Sequence, residues 1–152
     1  MRSKSEELTS PIVLVVDDEA PVRAIERRIL EQLGYRVLEA TNGTDAVGRL
    51  AGGEQLDLLI ADLDMPIVRG DEMARRIRRA RPDLRVLYVT GHIDLLMDGR
   101  PLWEGEAFLE KPFTVAGLRE AVTLLLSGKL GKSAGPDTTR TGIPLDIPAI
   151  LN

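Results

Sequence analysis

LDLLIADLDMP, from Leu56 to Pro66, is an apolar run that closes on two carboxylates, Asp62 and Asp64. Continuous apolar residues over this length read as a strand covered on both faces, the pattern of a parallel sheet between helices. A carboxylate at the end of such a strand is expensive to desolvate unless a cation, a proton or hydrogen-bond donors compensate it. The rest of the chain has to supply both the neighbouring strands and that compensation.

Four further apolar runs fit the neighbouring strands: Ile12–Val16, Arg36–Glu39, Leu84–Val89 and Ala107–Leu109. Helix-like stretches alternate with them. After Asp18-Glu19, Pro21 suits a first helical turn, Val22, Ile25, Ile29 and Leu33 form one apolar stripe, and Gly34 is a stop. A second helix follows Asn42-Gly43 and runs to Gly52-Gly53. A third spans about Gly70 to Ala80, ending before Pro82, and a last one begins after Pro112 with Thr114 as cap. The stretch HIDLLMDGRPLWEG is interrupted by Gly99 and Pro101 and predicts one short helical turn followed by loop. This alternation predicts an α/β doubly wound, flavodoxin-like fold, with five parallel strands in the order 2-1-3-4-5.

The 152 residues accommodate one domain with a short appendage: an N-terminal extension over 1–10, the folded unit over 11–127, and a tail over 128–152 without a second domain. Aromatic residues make up only 3%, so Val, Ile, Leu and Ala must build the core. The absence of cysteine excludes disulfides and thiolate metal sites. No apolar segment has the length of a membrane span or the character of a signal peptide, so a cytoplasmic location is expected, without membrane contact. The net charge of −4 gives no support to direct nucleic-acid binding. The basic run RRIRRAR, Arg75–Arg81, reads as a solvated helix face, with Ile77 joining Met73 and Ala80 on the inner stripe.

In the 2-1-3-4-5 order, Asp17, Asp18, Asp62, Thr90 and Lys111 all fall at one edge of the sheet, around the crevice where the strand order reverses. Each also has a plain reading: Asp17, Asp18 and Glu19 as caps of the first helix, Thr90 as a cap of the next, and Lys111 as a surface lysine. Together, three converging aspartates call for a hard divalent cation, and magnesium fits better than calcium or zinc. A magnesium-bound carboxylate with a lysine opposite and a hydroxyl between makes a phosphoryl-transfer site whose product is an aspartyl phosphate.

The motifs VVDDE, LLIADLDMP, YVTGH and AFLEKPF resemble, in this order, those of the receiver domain of bacterial two-component response regulators, over about Pro11 to Ser127. GEAFLEKPFT is similar to receivers attached to hybrid sensor kinases, although the chain reads as a stand-alone receiver. The resemblance implies that Asp62 is the phosphoacceptor. Asp17 and Asp18 would hold Mg2+ with Asp62, Asp18 directly and Asp17 through water, and the backbone carbonyl of Asp64 would add a ligand. Thr90 would hydrogen-bond the phosphoryl group, Lys111 would pair with it, and Phe108 would be the switch aromatic. The Lys111-Pro112 bond would be cis. Asp64 and His92 flank the site where side chains tune phosphoryl lifetime. The implied partners are a sensor histidine kinase or histidine phosphotransfer protein and an unknown output protein, with the chain a monomer or weak dimer. It would be a signalling phosphoacceptor with at most self-catalysed phosphorylation and dephosphorylation, acting as effector, shuttle or sink.

Two other classes use the same residues. ADLDMP resembles the nucleophile motif of haloacid-dehalogenase-type phosphatases, with Asp64 as general acid/base, but no acidic residues suited to that family follow Lys111. An interaction module independent of phosphate would act through the tail or the surface near Trp103, leaving the acidic, hydroxyl and lysine set without a purpose.

Overall fold

The computed structural model describes residues 10–65, 68–91 and 105–127. Its elements are β1 (Ile12–Val16), α1 (Ala20–Gln32), β2 (Arg36–Ala40), α2 (Gly43–Leu50), β3 (Leu58–Asp62), α3 (Gly70–Ala80), β4 (Arg85–Thr90), β5 (Glu106–Glu110) and α4 (Val115–Ser127). The strands form one parallel sheet in the order β2-β1-β3-β4-β5. This is the fold class and order that the alternation predicts. The interrupted stretch after Gly91, with His92 and Trp103, lies outside the described residues, as do 1–9 and the 128–152 tail.

The pleat sorts the core into two layers. Val13, Val15, Leu58, Ile60, Leu87 and Leu109 face one helical layer, packed with Ile29 and Leu30 of α1 and Leu118, Val122 and Leu125 of α4. Leu14, Val16, Leu59, Val86, Tyr88 and Phe108 face the other, packed with Leu50 of α2 and Met73, Ala74 and Ile77 of α3. β1, β3 and β4 are apolar on both faces because both faces are covered, whereas the edge strand β2 is only partly buried.

Local chemistry sets the helix ends. Gly34 takes φ 94° just after α1, a conformation that an L side chain disfavours. Asn42 caps α2 by accepting the Asp45 N–H at 2.7 Å. Thr114 accepts the Gly117 N–H at 2.8 Å, as its position predicts for a cap.

Two helix faces differ from the apolar pattern. On α1 the buried residues are Glu26, Ile29 and Leu30, and Ile25 is 54% exposed. Val22, Glu26, Ile29, Leu30 and Leu33 share one face at helical spacing, but an apolar stripe skips the glutamate and takes its neighbour, about 100° round the helix. On α3 the inner stripe is Met73, Ala74 and Ile77, and Ala80 is exposed because burial ends one turn before the helix does. The arginine run is not wholly solvated either. Arg78 turns inward to the buried Glu106 of β5 at 3.3 Å, and Arg81 donates to the Leu50 carbonyl at 3.3 Å.

Candidate functional site at the carboxyl edge of the sheet

Strand parity decides which polar residues meet. Asp17 continues the row of Val13 and Val15, Asp62 that of Leu58 and Ile60, and Lys111 that of Ala107 and Leu109, all toward the layer of α1 and α4. Thr90 continues the row of Val86 and Tyr88 toward the opposite layer, where Phe108 lies. Backbone bonds hold the rim in register: Asp17 N–H donates to the Ala40 carbonyl at 3.3 Å, and Lys111 N–H to that of Thr90 at 2.8 Å.

One carboxylate oxygen each from Asp17, Asp18 and Asp62 lies within 4.8 Å of the others. Asp17 and Asp62 are buried and Asp18 is exposed, so the cluster opens to solvent on one side. Lys111 Nζ stands 3.5 Å from Asp62 and 3.6 Å from Asp17. Burial pushes the Asp62 carboxyl above its usual range and Asp17 adds to the push, although the Asp64 N–H, at 3.1 Å from Oδ1, and Lys111 oppose it. Burial likewise raises Asp17, against the Glu19 N–H at 2.8 Å and the Lys111 charge. Burial works to lower the Lys111 ammonium, but the carboxylates of Asp17, Asp62 and Glu26 outweigh it and the net shift is upward.

The plain readings fare unevenly. Glu19 holds the capping position of α1 and makes no side-chain cap hydrogen bond. Asp17 does accept a backbone N–H with Oδ1, yet its Oδ2 is buried without a hydrogen bond. Lys111 is ion-paired rather than a free surface lysine. Thr90 is fully buried, and its hydroxyl donates to the Asp64 carboxylate at 3.2 Å. The Lys111-Pro112 bond is cis. Phe108 is 6% exposed, turned into the core.

One contact and two residues escape a motif-based reading. The Asp64 side chain is engaged by Thr90, a contact that depends on the pairing of β3 with β4. Glu26 is buried on α1, hidden by its place on a helix otherwise read for apolar spacing. Gly70, legible only as a helix start, supports the strand end: a Cβ there would lie 2.2 Å from the Asp62 carbonyl oxygen. Gly70→Ala should therefore destabilise the protein by about 1–3 kcal/mol through overpacking against backbone. Urea denaturation measures this, and an unchanged midpoint would show that the helix yields freely.

Residues 13–123 match the family model described as the response regulator receiver domain. The autoinducer 1 sensor kinase/phosphatase LuxN of Vibrio harveyi is 34% identical over 133 residues, which are 82% of this chain and 15% of LuxN. The chain thus spans about 15% of the length of that kinase. The receiver protein CpdR of Brucella abortus is 31% identical, with 75% of this chain and 95% of CpdR covered. Among solved structures, response regulator TrrA of Thermotoga maritima, in complex with Mg2+-BeF, is 32% identical with a TM-score of 0.69, covering 76% of this chain and 99% of TrrA.

Proposed function

Because the chain belongs to the response regulator receiver family, we propose that its carboxyl-edge pocket is a magnesium-dependent phosphoacceptor site and that Asp62 takes the phosphoryl group. The carrying observation is the convergence of Asp17, Asp18 and Asp62 within 4.8 Å, with Lys111 at 3.5 Å from Asp62. A lone lysine does not balance three carboxylates. The hard oxygen donors and the buried Asp17 Oδ2 without a hydrogen bond fit a divalent cation of the magnesium type. Asp17, Asp18 and Asp62, with the main-chain carbonyl of Asp64, would hold it. When bound, it offsets charge on the transferring oxygens.

An Asp62 carboxylate oxygen attacks phosphorus in a phosphohistidine donor. The bond from phosphorus to imidazole nitrogen breaks, its electron pair leaves with the imidazole, and the ring nitrogen takes up a proton. The donor is a histidine kinase or phosphotransfer protein. Lys111 pairs with the phosphoryl oxygens and stays protonated, in keeping with the upward shift that its carboxylate neighbours impose. Thr90 exchanges the Asp64 carboxylate for a phosphoryl oxygen, which links the pocket to the layer holding Phe108. Asp64 therefore competes with the phosphoryl group for Thr90. The folded unit is residues 11–127, and its output is partner binding. Among the described residues no helix is long and apolar enough to cross a membrane.

Incubation with magnesium and acetyl phosphate, followed by intact mass, tests this reading. One phosphoryl group should be gained, and chelation of magnesium should remove the gain. No gain with magnesium, or an equal gain in excess chelator, overturns the proposal.

A further inference from the structure

The strand ladders stop one residue short of the acidic pair. β1 pairs with β2 and β3 only as far as Val16, opposite Ala40 and Ala61. Asp17 is nevertheless 1% exposed, and its N–H is met by the Ala40 carbonyl at 3.3 Å. Among the described residues no backbone N–H donates to the Asp17 carbonyl, which lies in the peptide joining Asp17 to Asp18. A buried carbonyl needs a donor from somewhere.

Arg23 supplies it from the first turn of α1. Side chains lean toward the N-terminus of their helix, and Nη1 of Arg23 donates to the Asp17 carbonyl at 2.7 Å. Nε of the same guanidinium donates to Glu39 at 3.2 Å. Glu39 stands opposite Val15 in the β1–β2 ladder and is held by a second arginine, Arg27. The Arg23 side chain is 14% exposed, so both bonds are largely shielded from water. One fork thus ties α1 and β2 to the peptide at which the acidic pair leaves the sheet.

The bond fixes a plane as well as an atom. The Asp17 carbonyl and the Asp18 N–H belong to one rigid peptide unit, so holding the carbonyl limits rotation on both sides of it. The Asp17 carboxylate is held separately, through Oδ1 and the Glu19 N–H, with Oδ2 left buried and without a hydrogen bond. Asp18 is exposed, so its carboxylate takes its direction from the backbone more than from packing.

We propose that Arg23 is a positioning residue for the metal: by holding the Asp17-Asp18 peptide it keeps both carboxylates converged on Asp62, and without it the pocket binds magnesium more weakly. The inference rests on the magnesium-dependent phosphoacceptor reading of the pocket and adds a residue outside the acidic motif. Charge alone pulls the other way, since a cation beside the pocket repels a second one. Glu39 offsets the Arg23 charge at 3.2 Å, which leaves the geometry of the fork to decide.

The test uses the full chain as wild type, Arg23→Met and Arg23→Lys, with MgCl2 titrated at constant ionic strength and followed by backbone amide NMR. Methionine keeps an aliphatic stem and leaves Glu39 to Arg27, whereas lysine keeps the charge without the fork. The magnesium Kd should rise about tenfold in Arg23→Met, the low end of the loss when a group that orients a metal ligand is removed. Arg23→Lys should weaken binding in the same direction. Before any metal is added, the Asp18 amide nitrogen should already be shifted in both variants. Tighter magnesium binding by Arg23→Met, or wild-type binding by Arg23→Lys, would reduce the role of Arg23 to its charge and overturns the proposal. So does an unchanged Kd beside a shifted Asp18 amide, which would leave Arg23 a purely structural residue. If Arg23→Met does not fold, Arg23→Lys decides. If wild type binds no magnesium, the metal reading fails by itself, and the Asp18 amide still decides whether Arg23 holds the peptide.

Discussion

Asp62→Asn should abolish phosphoryl uptake from acetyl phosphate, with no mass gain in magnesium under conditions that modify the wild type. The amide lacks the anionic oxygen that attacks phosphorus. The fold should survive. The Asn side-chain oxygen can still accept the Asp64 N–H that Oδ1 accepts now at 3.1 Å. Burial holds the Asp62 carboxyl above its ordinary range, so the folded state disfavours the ionised form and loses stability as rising pH ionises the group. A neutral amide removes that loss, and the thermal midpoint at neutral pH should be at or above that of wild type. Uptake that persists undiminished in Asp62→Asn places the acceptor elsewhere.

The second large effect lies away from the pocket. Arg78 reaches from α3 to the fully buried Glu106 carboxylate at 3.3 Å, and the Tyr88 hydroxyl donates to the same oxygen at 3.0 Å. The side chain of Glu106 is 0% exposed and that of Arg78 14%, so this ion pair is largely shielded from water. Removing one member of a buried pair leaves a charge that must be desolvated without its counter-ion, and Arg78→Met should cost about 3 kcal/mol. In thermal unfolding that corresponds to a midpoint lowered by roughly 10 °C. Adding Glu106→Gln keeps an acceptor for Tyr88 and removes the stranded charge, so the double variant should recover more than half of the loss. A single variant within about 0.5 kcal/mol of wild type would show that water reaches Glu106 and that the pair behaves as a surface one.

Both experiments bear on residues with very different visibility in the chain. Asp62 announces itself because a carboxylate that closes an apolar strand demands an explanation. Strand order then brings Asp17, Asp18 and Lys111 to the same edge without any knowledge of side-chain positions. Glu106 gives no such sign. Read from apolar residues, β5 is only Ala107–Leu109, whereas the strand spans Glu106–Glu110, and the first glutamate becomes buried because Tyr88 and Arg78 meet it from β4 and α3. Glu26 is hidden for a related reason. A stripe of Val22, Ile25, Ile29 and Leu33 looks satisfactory by itself, and only packing against the sheet selects the face 100° away.

The amino-acid order by itself determined the sheet, its strand sequence and the group of residues at its carboxyl edge. Apolar periodicity, glycine and proline stops and right-handed crossovers are local rules, and each can be read along the chain. Tertiary structure alone decided how the buried charges share their partners: Lys111 between Asp17 and Asp62, Thr90 with Asp64, and Glu106 with Arg78 and Tyr88. These contacts depend on helix rotation and on register between strands distant in the chain. A rotation of 100°, or a slip of one residue, would turn a charge from water into the core while barely altering the apolar pattern.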